Sequence, residues 1–421
     1  MNNMPIQTES KFRQELKLEL EHRDQFSMRR QLRVIKGNAR IIEYEGKSYI
    51  NLASNDYLGL SNHPHIKEAA INAIIKHGTG AGASKIVIGH QDIHHHVEKQ
   101  FAAFKGAESA LLLPTGYAAN LAVLTSLAAP GDLICLDKLS HTSLIDAAKT
   151  SGATVRTFPH LQTAKLRKLL QRHSDASCCI SSTNPSDTPK TYYTPLNRPP
   201  RRFIVADSVF SMDGDVAQLP ELVSIAKEYD AILIIDEAHG TGLMGKNGSG
   251  LCESQNVKGQ VDVIISTASK ALGSLGGIVT ADRIIIDTIL NHGKTIIYTT
   301  SIPPAQAAAI GAAIEVIQND EHRRHYLQQI SLKFRHALLN MGWQLPDLIS
   351  EDEITPIFPL ILGSPEKAIK AYELLKKSGF LAFASRYPAV PRGEDRVRIS
   401  LRADLAENDL DKLITAINSL N

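Results

Sequence analysis

Short apolar runs, each closed by a polar residue or a proline and separated by stretches of helical spacing, constrain this chain more than any other feature. ALLLPT, DLICLD, ATVRTFP, CCIS, RRFIVADS, AILIIDE, VDVIIST and GGIVTAD follow one another between residues 110 and 282. Runs that are apolar at nearly every position belong to strands buried on both faces. Amphipathic helices fill most of the gaps, so the alternation predicts a mostly parallel sheet covered on both sides. After Ser301-Ile302-Pro303-Pro304 the pattern changes. A long helical stretch over 305–341 is followed by strands near 356–362, 381–384 and 396–401 among helices, which reads as a smaller α+β domain. At the other end, 10–32 carries apolar positions at helical spacing among many charges. RVIKGNARIIEYEGKSYINLAS then alternates between breaks at Gly37-Asn38 and Glu45-Gly46, as hairpins do. The expected division is 1–53 for helix and hairpin, 54–303 for a large α/β domain and 304–421 for a small domain.

Composition removes several classes of function. A formal net charge of +2 over 421 residues, with no basic stripe interleaved with aromatics, argues against nucleic acid as a partner. No apolar run approaches membrane-spanning length, and MNNMPIQTESKFRQELKLELEHRDQF is too charged for a signal peptide. A cytoplasmic protein without a membrane partner is the expectation. Cys135, Cys178, Cys179 and Cys252 lack metal-ligand spacing and read as reduced structural thiols, Cys178 and Cys179 inside a strand. The polar, proline-rich 181–200 reads as a long surface excursion.

Lys270, in TASKALGSLGG, carries the chemistry. A lysine at the end of an apolar strand, followed closely by glycines, sits near low-dielectric surroundings where its amine can lose a proton and attack a carbonyl. AILIIDEAHGTG ends its own strand in Asp236 and His239. Asp236, His239, Thr267 and Lys270 therefore gather at the carboxyl edge of one sheet, where open α/β sheets place ligands. A lysine for an aldehyde and an acid for a pyridinium nitrogen are what pyridoxal phosphate (PLP) requires. Thr115-Gly116-Tyr117 lies where ALLLPT turns into a helix, a place for phosphate against free backbone amides.

SNDYLGL at 54–60, GAGAS at 80–84, PTGYAAN at 114–120, DKLSHTSLIDAA at 137–148, VFSMDGD at 209–215, DEAHGTG at 236–242, TASK at 267–270 and YTTSIPPAQ at 298–306 occur in that order. With these motifs the chain resembles the α-oxoamine synthases, a branch of the fold-type-I PLP-dependent transferases, from about residue 29 to 401. The resemblance implies an acyltransferase that condenses an amino acid with an acyl thioester, carried by CoA or an acyl carrier protein, and works as a homodimer. It makes Lys270 the Schiff-base lysine and α-proton base, and Asp236 the partner of the pyridine nitrogen. It makes His141 the ring stacked on the cofactor, although a helix-capping role is as common for a lone histidine. His239 and Ser211 become partners of the phenolic oxygen. Thr115, Gly116, Tyr117 and Thr267 become the phosphate site, with Thr300 reaching it from a neighbouring subunit. Asn55 and Arg386 would contact the amino acid's carboxylate, and Arg29 or Arg30 the acyl donor. His-Gly-Thr-Gly at 239–242 favours the biotin branch and L-alanine with a pimeloyl thioester. Glycine with a short acyl-CoA is the rival, and a catalytically silent partner subunit the non-enzymatic one.

Two features tempt. Gly78-Thr79-Gly80-Ala81-Gly82 lacks the lysine and the Rossmann context of a nucleotide loop. His94-His95-His96 are consecutive helical residues about 100° apart, which cannot chelate one ion together, so no metal is expected. Three departures from the family pattern stand out: the 181–200 excursion, Asp207-Ser208 in place of Glu-Gly, and Lys85 in place of arginine.

Overall fold

The computed structural model describes residues 10–37, 39–177 and 198–420. Its centre is a seven-stranded sheet, numbered here in chain order: β1 Ser109–Leu113, β2 Leu133–Asp137, β3 Thr154–Phe158, β4 Arg202–Asp207, β5 Ala231–Asp236, β6 Val263–Thr267 and β7 Gly277–Ala281. The spatial order is β1-β7-β6-β5-β4-β2-β3. All neighbours run parallel except β7, which is antiparallel to both β6 and β1. Successive residues of one strand feed two separate cores: Leu233, Ile235 and Ile264 pack on one face, Ile234, Val263 and Ile265 on the other. That division is why these runs show no period of two. The CCIS run lies outside the described residues, as does most of the 181–200 excursion.

Register sets the site. Asp207 pairs with Asp236 across β4 and β5, so two carboxyl groups end adjacent strands side by side. Thr267 closes β6 on the same edge, and β2 ends at Asp137 just before His141.

The C-terminal part corrects two expectations. The helical stretch 305–341 is two helices, Pro304–Asn319 and Glu321–Asn340. The break falls at Asp320, whose side chain accepts from Arg323 N and caps the second helix, a role that aspartate fills better than it fills a helix interior. The strand expected near 381–384 is two short ones, Phe380–Leu381 and Phe383–Ser385. Phe380–Leu381 joins Lys47–Asn51 in parallel, so the hairpin shares a sheet with the C-terminal segment. The hairpin turn has Glu45 at φ 52° and Gly46 at φ 74°, the left-handed pair that a two-residue connection demands. The first helix, Lys11–Gln25, is shorter than the spacing over 10–32 suggests and buries none of its residues. Among the described residues no helix is long and apolar enough to cross a membrane.

One clamp supports the loop 209–215. His160 sits between Asp137 (Nδ1 to Oδ1, 3.0 Å) and Asp215 (Nε2 to Oδ2, 2.6 Å). Burial alone would lower its pKa; the hydrogen bonds and charges of the two carboxylates outweigh that and raise it to about 10. A histidine whose folded value lies above its unfolded one contributes stability that is complete below about pH 6.5 and is lost as pH climbs through about 10. His160→Gln should therefore cost roughly 1–3 kcal/mol at pH 6, and the gap in urea midpoints between wild type and variant should shrink steadily towards pH 10. A gap that does not change with pH would mean that the imidazolium contributes nothing.

Candidate active site

Four expected residues meet at the carboxyl edge of the sheet. Asp236 is buried, accepting from Asn120 Nδ2 (2.9 Å) on Oδ2 and from Ala238 N (2.8 Å) on Oδ1. Lys270 lies close enough to feel it. Burial lowers the lysine's pKa, Asp236 and Asp207 pull it back up, and Arg398 lowers it further. The result is an amine that loses its proton more readily than a surface lysine. His141 caps the helix Thr142–Thr150, Nδ1 accepting from Ser143 N (3.3 Å), while its ring remains open to solvent. Burial of its inner side lowers its pKa, Asp236 opposing and Lys270 reinforcing. The capping role thus leaves part of the ring accessible.

His239 is buried as well. Burial holds its pKa well below the usual value, helped by Lys270, Arg398 and His141, so the ring is neutral. Its Nδ1 lies 2.8 Å from Tyr57 Oη. Tyr57 in turn accepts from Arg398 Nη2 (3.0 Å) and lies 3.2 Å from Asn55 Oδ1. Arg398 also donates from Nε to Ser211 O (2.6 Å) and from Nη1 to Asn55 Oδ1 (3.1 Å). Asn55, Ser211 and His239, predicted separately, are joined through one guanidinium.

Thr115 caps the helix Gly116–Leu127, its Oγ1 accepting from Ala118 N (3.0 Å), so Gly116 and Tyr117 fall in the first turn where amides lack helical partners. A Cβ added at Gly116 would lie 3.4 Å from Thr267 Cβ, which places Thr267 beside that turn. Thr267 Oγ1 donates to Gly276 O (3.0 Å) and accepts from Ser269 N, leaving a lone pair for little else.

Thr300, Arg386 and Arg29 have partners outside this cluster. Thr300 is exposed and forms an isolated bridge with Ser84. Arg386 donates to Ser27 O, and burial, Arg30 and Arg33 all lower its pKa. Arg29 is paired with Asp24 (2.6 Å) on the exposed N-terminal helix. Of the histidine triplet, His94 is buried, Nε2 against Ile302 O (2.8 Å), and His95 and His96 are exposed. His90, His95 and Glu98 converge within 4.8 Å, but the Glu98 carboxylate already accepts from Lys85, Leu112 N and His90.

Sequence reasoning missed Tyr57, Asn120, Asp207 and Arg398. The first two lie inside quoted motifs, SNDYLGL and PTGYAAN, and the last is the second of two alternating arginines in RVRIS. A polar residue at a core-facing position was the available signal. Asp207 accepts from His141 N (3.0 Å), and burial, then Asp236, pushes its pKa well up. An acid raised in the folded state destabilises increasingly as pH rises above its unfolded value of about 3.9. Asp207→Asn should therefore gain stability relative to wild type in the ligand-free protein as pH rises from 4 to 7. Parallel chemical denaturation curves across that range decide it, and a flat difference would contradict the raised pKa.

The family model for aminotransferase class I and II matches residues 47–417. The chain is 38% identical over 377 residues to the 8-amino-7-oxononanoate synthase of Cellvibrio japonicus, covering 89% of this chain and 87% of that one. Among solved structures it is similar to a serine palmitoyltransferase from S. paucimobilis with a bound PLP–myriocin adduct, at 26% identity, TM-score 0.84 and 98% coverage of both chains. It is also similar to the 8-amino-7-oxononanoate synthase of Francisella tularensis, at 27% identity and TM-score 0.70, covering 88% and 97%. With an ordered lysine–aspartate–histidine edge and matches along almost its whole length, the chain belongs to the class I and II aminotransferase family and, within it, to the α-oxoamine synthases.

Proposed function

We propose that this protein is a PLP-dependent acyltransferase that condenses L-alanine with a pimeloyl thioester, yielding 8-amino-7-oxononanoate, carbon dioxide and free thiol for biotin synthesis. The observation that carries it is Lys270, its amine made labile by burial, coupled to Asp236 on the edge flanked by His141 and His239. The residues present fit PLP. Gly116 leaves a cradle beside Thr267 that a side chain would fill, and the capped turn at Thr115 offers amides to a phosphate.

Bound there, PLP supplies an aldehyde for amines and a protonated ring that draws electrons from the carbon next to the amino group. Lys270 Nζ would be the anchoring amine and the base for the α-proton. Asp236, held by Asn120 and Ala238 N, would partner the ring nitrogen and keep its proton in place. His141 would offer a flat face to the ring, and His239 and Ser211 would donate to the phenolic oxygen. Arg386 and Asn55 take the carboxylate of alanine; a guanidinium fork matches that group. Arg29, tied to Asp24, and Arg30, beside Arg386, remain the two candidates for the acyl donor.

Identity of 38% with relatives named for this reaction supports alanine and pimeloyl thioester over serine or glycine. A methyl group discriminates by only about 1–3 kcal/mol, so slow turnover of glycine and serine is expected. The test is thiol release across amino acids and acyl thioesters, with product mass confirmed, and borohydride trapping of PLP on the chain. Alanine with pimeloyl thioester should be the best pair, the trapped cofactor should map to Lys270, and Lys270→Ala should abolish turnover. Better turnover of glycine with acetyl-CoA, or a label on another lysine, overturns the reading.

A homodimer with composite sites completes the proposal. Ile86, Val87, Ile88 and Tyr298 are exposed around the Ser84–Thr300 bridge, an apolar surface suited to a second copy. Thr300 would then serve the phosphate of the neighbouring site. Mixing inactive Lys270→Ala with a Thr300→Ala chain of reduced activity should restore one intact site per hybrid dimer, about half the activity of a wild-type dimer. Full activity of a monomer would contradict this arrangement.

A further inference from the structure

We propose that Tyr57 and Arg398 are positioning residues that lock His239 in a single neutral tautomer, with the proton on Nε2. The inference rests on the reading of His239 as a donor to the phenolic oxygen of PLP, and extends it to the residues behind the ring.

The argument begins with Arg398, whose guanidinium can only donate. It is buried at the end of the cleft, in the strand Arg396–Ser400, and no carboxylate pairs with it among the described residues. Its neighbour Arg396 is paired with Asp213 and Glu394 instead. Arg398 donates to Ser211 O, Asn55 Oδ1, Ser400 Oγ and Tyr57 Oη. Tyr57 Oη is therefore an acceptor towards the arginine and has one proton left to give. Two acceptors compete for it: His239 Nδ1 at 2.8 Å and Asn55 Oδ1 at 3.2 Å. The Asn55 oxygen already receives an Arg398 N–H, while Nδ1 has no other polar partner among the described residues. The shorter contact and the freer acceptor place the proton on the line to His239. Nδ1 then accepts, and the ring's own hydrogen must sit on Nε2, facing away from Tyr57.

Charge reinforces the choice. Burial disfavours the imidazolium, and Lys270, Arg398 and His141 all oppose a second proton, so His239 holds one hydrogen throughout the neutral range. The opposite tautomer would present a bare Nε2 lone pair to an electron-rich phenolic oxygen, two acceptors face to face. Tyr57, itself fully buried, keeps its phenol proton because burial outweighs the pull of Arg398. The relay therefore holds through the neutral range.

The same contacts give Arg398 a second consequence. By gripping Ser211 O and Asn55 Oδ1 it ties the loop 209–215 and the segment 54–60 to one rigid group, so the donor on Nε2 is fixed in place as well as in kind.

The test is nitrogen-15 NMR of histidine-labelled full-length protein, with and without PLP. In wild type, His239 should show an unprotonated Nδ1 and a protonated Nε2, unchanged between about pH 6 and 9. Tyr57→Phe, which keeps the buried shape, should give a mixed tautomer population in the PLP-free protein. Its kcat should fall about tenfold while the alanine KM moves less than about threefold. Wild-type His239 protonated on Nδ1, or a Tyr57→Phe spectrum identical to wild type, overturns the proposal. Because the tautomer is read without substrate, it can fail while the assigned reaction stands, and the reverse also holds.

Discussion

Two carboxyl groups end adjacent parallel strands in register, and the chemistry of this fold is arranged around that collision. Asp207 and Asp236 are both buried, and neighbouring buried acids cannot both carry charge without heavy cost. The structure separates their roles by unequal hydrogen bonding. Asp236 receives two N–H donors, from Asn120 and Ala238. Asp207 has the His141 amide, and its pKa is driven up. Lys270 lies in the field of both, which limits how far burial can strip its proton. A cation arriving beside Asp236, as a protonated pyridine would, relieves that crowding.

The layered fold was legible because it rests on a local rule. A strand buried on both faces must be apolar at successive positions, and β2, β4, β5 and β6 are. Elements set by tertiary context were harder to read. The 305–341 stretch keeps its helical period across Asp320, and only the aspartate's capping preference marks the break. The parallel pairing of Phe380–Leu381 with Lys47–Asn51 joins residues over three hundred positions apart, and no window of sequence contains that information.

In the site, the same distinction holds. Lys270, Asp236 and His239 were legible as polar residues ending apolar strands near a glycine-rich turn. Tyr57 and Arg398 were not, because their role exists only where three separate segments meet. Arg398 reads in isolation as one of two alternating arginines in RVRIS. Among the described residues Arg396 has two carboxylate partners and Arg398 has none, although both are buried. Only the fold distinguishes a satisfied structural cation from one that gathers site residues. Arg29 illustrates the converse: it was singled out by position, and its partner Asp24 was unknown until the first helix was placed.

The final constraint lies one residue beyond Asp236. Glu237 is fully buried, its Oε2 accepting from Lys105 Nζ (2.5 Å) and its Oε1 from Cys252 N (2.7 Å). Lys105, at the end of the helix Asp92–Lys105, also donates to Thr241 Oγ1 (2.7 Å) and Ser249 O. Replacing such a buried pair with apolar residues is often neutral or favourable by about 1–4 kcal/mol, so stability alone does not explain its presence. Position does. Glu237 follows Asp236 directly, and Thr241 follows His239 by two residues, so the ammonium pins both ends of the short turn that carries the site's acid and its histidine. A hydrophobic contact could fill the space but would let that turn slide. Directional bonds to Glu237, Thr241 and Ser249 fix its path, which holds Asp236 on the strand edge and His239 within reach of Tyr57.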